Sequence, residues 1–190
     1  MNFTCVCFGE VLFDVLPHEI KAGGAPMNVA YHLTVLGQST ALISRVGNDD
    51  RGKALTAILK EKKLHTEYIQ VDATHPTGIV MAMPDAAGDM KYDIKQGVAW
   101  DYIEPEPQHE ALVKNAGYFI FGSLITRSKI SCNTLFNLLD NPVTRVFDVN
   151  LRQPFTDQSR LEYQFSKADI LKMNEEELDL ITEWYVQFKT

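Results

Sequence analysis

Asp14, Asn28, Asn150, Arg152, Lys172, Asn174 and Glu177 are residues whose types and neighbours can do chemistry. The densest group is Gly23-Gly24-Ala25-Pro26-Met27-Asn28-Val29-Ala30, where two glycines precede a proline and an asparagine at the start of a helical pattern. Paired glycines let the backbone come close to a ligand or take a positive φ. Pro26 fits a first helical position, where its missing N–H costs nothing. Asn28 then falls in the first turn, where its amide can face whatever the glycines approach. A loop, a helix N-terminus and a polar reader together suit a small polar ligand. A glycine-rich turn that merely starts a helix fits the same residues, because an isolated glycine motif is a weak signal.

The other polar residues sit where strands should end. Asp14 closes a short strand candidate at 10–16, and Gly122-Ser123 follows a strand at 118–121. Asp148-Val149-Asn150-Leu151-Arg152 ends a strand at 145–149, and Lys172-Met173-Asn174 ends one at 168–172. Ligands of open α/β sheets bind beyond the carboxyl ends of the strands, so these groups can converge on one site. Plain structural duties compete with that reading. Asp148 and Asn150 can satisfy loop backbone, and Arg152 can be a surface guanidinium. Asn174 and Glu177 have the N-cap and N3 spacing of a capping box, which explains both without a ligand. The two readings are compatible, because a capped helix N-terminus also attracts anions.

Alternating elements must position these residues. Strands are expected at 3–8, 40–46, 118–121, 145–149 and 168–172. Helices are expected from Pro26 to Gly37 (through Ala30, Leu33 and Leu36), at 53–64 (through Leu55, Ile58 and Leu59) and at 128–139. A last helix starts at Asn174 and runs through Leu178 and Ile181. This alternation implies a mostly parallel sheet with helices on both faces. Gly78–Pro84 and 90–95 flank the turn-rich Asp85-Ala86-Ala87-Gly88-Asp89 and read as a hairpin. With the 10–16 strand they form a small second sheet over the first, as a lid does; an antiparallel extension of the main sheet is the alternative.

Composition excludes several classes. Apolar residues make up 45% and the formal net charge is −7, which argues against a nucleic-acid surface. Cys5, Cys7 and Cys132 are too few and badly spaced for a disulfide framework or a zinc site. His18, His32, His65, His75 and His109 are scattered and read as surface or partly buried packing. No apolar run approaches the ~20 residues of a membrane span. The amino terminus lacks the basic region of a signal peptide, and free cysteines fit a reducing compartment, so a cytoplasmic location is expected. Neither a G-x-x-x-x-G-K-[ST] loop nor a G-x-G-x-x-G fingerprint occurs.

Taken in order, these residues resemble the ribokinase-like, or PfkB, family of sugar kinases. The set comprises Gly9-Glu10 with Asp14, the Gly23–Ala30 block, Gly37, Gly47, Asp49, Gly52, Pro76-Thr77-Gly78, Phe147-Asp148-Val149-Asn150-Leu151-Arg152 and Lys172-Met173-Asn174-Glu175-Glu176-Glu177. The fructokinase-like branch is most similar. The resemblance implies a doubly wound, mostly parallel α/β sheet with a small β lid from about 10–22 and 76–98, as the amino-terminal part of one domain spanning 1–190. It implies sugar binding by Asp14, Gly23, Gly24, Asn28 and Asn150, with Arg152 close to the sugar and the transferred phosphoryl group. Lys172, Asn174 and Glu177 match positions at the phosphate end of ATP, and Glu177 touches magnesium through water. The family's general base lies in a Gly-Ala-Gly-Asp signature that this sequence lacks. Ala86-Ala87-Gly88-Asp89 is set aside, because it falls in the lid hairpin. A carboxy-terminal half is therefore expected to be missing, with no catalytic residue in this chain and no tight ATP or magnesium binding. The implied reaction is ATP-dependent phosphorylation of a sugar hydroxyl; the alternative is a non-catalytic sugar-binding or interaction protein. The expected partner is a small sugar, with neither nucleic acid nor membrane, and lid pairing or an exposed sheet edge would give a homodimer.

Overall fold

In the computed structural model, which describes residues 3–84 and 90–187, six parallel strands form the main sheet. Their spatial order is β10 (Ile170–Lys172), β9 (Thr144–Asp148), β8 (Tyr118–Gly122), β1 (Cys5–Phe8), β4 (Thr40–Gly47) and β5 (Ile69–Asp72). From β1 the chain winds outward through β4 to β5, then returns to β8 and winds the other way. β1 and β8 are hydrogen-bonded neighbours, Cys5 opposite Tyr118. The switch point therefore lies between their carboxyl ends, where such sheets bind ligands.

Period-two alternation divides the core. Val6 and Phe8 of β1, Ala41 and Ile43 of β4, and Phe119 and Phe121 of β8 point to one face. There they pack on Val113 of α3 (Pro107–Lys114), Leu135 of α4 (Lys129–Leu138), Leu161 of α5 (Gln158–Lys167) and Ile181 of α6 (Glu175–Gln187). Cys7, Leu42 and Val46 point to the other face, against Met27 and Ala30 of α1 (Ala25–Val35) and Leu55 and Leu59 of α2 (Asp50–Glu61). Each fully buried side chain of this size contributes about 1.5–3 kcal/mol. Both faces are thus covered, which is why β4 reads as a nearly continuous apolar run.

A second sheet leaves the first just after β1. Its order is β3 (Ile20–Gly23), β2 (Leu12–Val15), β6 (Gly78–Pro84) and β7 (Met90–Ile94), with β2 parallel to β6 and the other pairs antiparallel. It is separate from the six-stranded sheet. The hairpin connector 85–89 lies outside the described residues, as do Met1, Asn2 and 188–190.

Several elements differ from the sequence-based expectation. α1 starts at Ala25 with Pro26 in its first two positions, and it ends in a Schellman cap, Gly37 N–H to Thr34 O and Gln38 N–H to Leu33 O. Leu36 is 74% exposed at the end of this helix, whose inward side carries Met27 and Ala30. α2 begins at Asp50 because Asp49 caps it, its carboxylate accepting the Gly52 amide at 2.7 Å. β3, β5, α3 and α5 are additional elements. His109 is fully buried on α3, rather than at the surface or partly buried as expected.

Candidate active-site cleft

β2 carries the first site residue. Leu12, Asp14 and Leu16 alternate along this segment and face the same cleft as Val80, Ala82, Tyr92 and Ile94 of the small sheet. The opposite wall is Glu10, Gly24, Ala25, Asn28, Leu124, Asn150 and Arg152, at the carboxyl edge of the main sheet. The cleft holds about 500 Å³. It brings together Asp14, Gly24, Asn28, Asn150 and Arg152 from three separate stretches of sequence.

The two glycines make this approach possible for different reasons. Gly24 has φ 111°, and a Cβ there would stand 2.3 Å from the Glu10 carbonyl oxygen. Gly23 stands behind Asp14 and does not line the cleft; its missing side chain leaves room for the Asp14 carboxylate, which a Cβ would approach to 2.0 Å. Asn28 is exposed on the first turns of α1, and its backbone N–H donates to Gly24 O at 2.9 Å.

The far wall is the loop after β9. Asn150 takes φ 39°, a left-handed conformation that asparagine tolerates better than most residues. Three contacts hold this loop. The Val149 amide donates to Lys172 O (2.9 Å), the Leu151 amide to Glu177 Oε1 (2.8 Å), and the Ser123 hydroxyl to Asn150 O (3.3 Å). Asn174 and Glu177 make a reciprocal capping box on α6, Glu177 N–H to Asn174 Oδ1 (2.8 Å) and Asn174 N–H to Glu177 Oε2 (3.0 Å). Glu177 therefore ties the helix start to the site loop, and neither it nor Asn174 lines the cleft.

Lys172 pairs with Asp148 at 2.7 Å and lines a neighbouring cleft of about 470 Å³. That cleft shares Ala25, Asn28, Asn150 and Arg152 with the first and adds His32. Two adjoining hollows thus meet at Asn28, Asn150 and Arg152. A third hollow of about 330 Å³, lined by Glu106, His109 and Asn137 on α3 and α4, contains none of these residues.

Electrostatics single out two carboxylates. Burial raises Asp14, and the Arg152 guanidinium draws it back. Glu10 is pushed up to about 7 by burial, against the pull of backbone amides, Arg127 and Arg152. Sequence reasoning did not choose Glu10 as a site residue. The signal was available in Gly9-Glu10, an acidic residue directly after an apolar strand. Lys21 and Tyr92 also line the cleft without local cue. No group of three or more potential metal-binding side chains occurs among the described residues. No helix among the described residues is long and apolar enough to cross a membrane.

Comparison with known proteins agrees with this architecture. The sequence matches the pfkB family carbohydrate kinase profile over residues 5–184. It is 30% identical to a probable chloroplastic fructokinase-6 of Arabidopsis thaliana, covering 93% of this chain and 52% of that protein. It is 32% identical to a putative sugar kinase, PH1459, of Pyrococcus horikoshii, covering 88% of this chain and 56% of that one. The chain thus spans just over half the length of these relatives. Among solved structures, a fructokinase with bound ATP from Xylella fastidiosa superposes with TM-score 0.87 at 25% identity, over 98% of this chain and 62% of that one. The Pyrococcus sugar kinase in complex with ATP gives TM-score 0.86 at 28% identity, over 95% and 66%.

Proposed function

The chain belongs to the pfkB family of carbohydrate kinases, and from that premise we propose that its protein phosphorylates a sugar hydroxyl with ATP, the sugar lying between the two sheets. The convergence of Asp14, Asn28, Asn150 and Arg152 on one cleft carries this reading. A carboxylate and two amides match vicinal hydroxyls, which donate and accept at once. Arg152 supplies positive charge where a transferred phosphoryl group would carry negative charge. The small sheet serves as the lid, its apolar face excluding water as it closes. Fructose is the first sugar to test, because the relatives are named fructokinases.

The neighbouring cleft, with Lys172 and Arg152, is the proposed place for the phosphates of ATP. Glu177, the carboxylate that the resemblance offers magnesium, lines neither hollow and would reach the ion only through water. Both Glu177 oxygens already accept backbone amides, and magnesium keeps several of its own waters. When bound, the ion would neutralise phosphate charge. The general base and anion-hole glycines of the family signature have no counterpart in this sequence. For these 190 residues alone we therefore propose sugar recognition without phosphate transfer and without tight ATP or magnesium binding.

Calorimetry with fructose and ribose, beside a coupled assay with MgATP, tests both statements. Weak sugar binding that disappears in Asp14→Ala, without turnover, is the expected result. Binding indifferent to Asp14→Ala, or robust turnover by these residues alone, overturns the assignment. Copies are proposed to pair through the exposed Ile20 and Tyr92 of the small sheet or through Ile170 and Leu171 of edge strand β10; sedimentation velocity tests this. A cytoplasmic setting is proposed from the buried free thiols Cys5, Cys7 and Cys132.

A further inference from the structure

Glu10 follows β1 at the switch point and is 3% exposed. Its Oε1 accepts the Ala25 amide at 3.0 Å. Its Oε2 is buried with no hydrogen-bond partner among the described residues. Burying a carboxylate is costly, and glutamine could accept the same amide at far lower cost. A buried acid with half its hydrogen-bonding capacity idle therefore calls for a reason.

Its neighbours provide one. Glu10 touches the Gly24–Ala25 turn twice, through the carbonyl that abuts Gly24 and through the carboxylate that holds the Ala25 amide. Asn28 is hydrogen-bonded to Gly24 O, so its placement is chained to the same turn. Arg152 exerts its charge on both Glu10 and Asp14. Arg127 also acts on Glu10, but it is committed to Asp101 at 2.7 Å. Lys21 reaches the cleft from β3, and α1 brings no acidic group in its first turn.

We infer that Glu10 is a positioning residue of the cleft: ionised, it clamps the amide that starts α1, fixes Gly24 and Asn28 against the ligand, and shares Arg152 with Asp14. The ligand part rests on the sugar-site reading above, whereas the clamp is a property of the free protein. Because burial sets Glu10 at about 7, the clamp changes state across neutral pH. Protonation leaves Oε1 an acceptor but removes the charge assistance of its hydrogen bond, and Arg152 is left with Asp14.

The test is a pH titration of the ligand-free protein by amide NMR, from about pH 5.5 to about pH 8.5. In the unmodified chain the Ala25 amide and both Asn28 amides should shift with a midpoint near 7. The transition should persist in Asp14→Asn and vanish in Glu10→Gln. Fructose calorimetry follows. Glu10→Gln should bind about tenfold more weakly at about pH 8 and lose its pH dependence. Glu10→Ala should be weaker still, with glutamine restoring part of the loss. A flat Ala25 titration, or one that survives Glu10→Gln, overturns the inference and leaves sugar binding untouched. A normal titration with neither fructose nor ribose bound at any pH upholds the clamp and refutes the sugar reading.

Discussion

Replacing Gly23 with alanine should reveal how tightly the cleft carboxylate is housed. Gly23 ends β3 opposite Leu12, and an added Cβ would lie 2.0 Å from Asp14 Oδ2 and 2.9 Å from Asp14 Cγ. Its backbone lies outside the left-handed region, so alanine meets steric resistance only. Overpacking of this kind costs about 1–3 kcal/mol. In an Asp14→Ala background the obstacle is gone. Gly→Ala at a compatible backbone then stabilises by about 0.4–1 kcal/mol, by restricting the unfolded chain. The sign reversal implies a coupling energy of roughly 1.4–4 kcal/mol between the two sites. Urea unfolding of the four proteins in the cycle measures it, provided the m-values agree. For a domain of this length, Gly23→Ala alone should lower Tm by about 2–12 °C. It should also weaken sugar binding, because the carboxylate must swing away. Additive effects within about 0.5 kcal/mol would show that Asp14 is free to move and that Gly23 is not there to seat it.

Three more outcomes are expected. Glu10 has its folded value raised from 4.5 to about 7. The stability associated with its neutral form is complete below about pH 4.5 and is lost as pH rises through about 7, so Glu10→Gln should gain on the parent by on the order of 3 kcal/mol between about pH 4.5 and about pH 8 in pH-resolved denaturation. Asn174→Ala removes the N-cap acceptor of α6 and should cost about 1 kcal/mol; an unchanged denaturation midpoint would remove the capping claim. Asn150→Gly keeps the left-handed backbone and deletes the amide, so sugar affinity should fall with stability nearly intact, whereas Asn150→Ala should lose about 1 kcal/mol as well. Equal stability of the two variants would mean that the loop relaxes out of this conformation.

Much of the fold could be read locally. The apolar runs of β1 and β4 and the capping box at Asn174 and Glu177 are short-range features, and short-range features are written in neighbouring residues. The elements that escaped had weak local signals. β5 is Ile-Gln-Val-Asp, with half its residues polar. α3 starts within Glu104-Pro105-Glu106-Pro107, which looks like a breaker. α5 buries only Leu161 and Gln164, and Gln164 earns its place by donating to Gly122 O at 3.0 Å, a contact 42 residues away.

The sequence by itself determined that strands and helices alternate, that polar groups collect at strand ends, and that Gly23, Gly24 and Asn28 belong to one turn at the start of a helix. It could not determine which strand ends meet. That depended on the order β10-β9-β8-β1-β4-β5, set by how apolar faces pair across the whole sheet. Only this arrangement brought Asn150 and Arg152 opposite Asp14, put Gly23 behind the Asp14 carboxylate, and buried Glu10 against the start of α1. Residue types carry the chemistry that is available. Burial and distance decide which of it is used, because both arise from contacts between residues far apart in the chain.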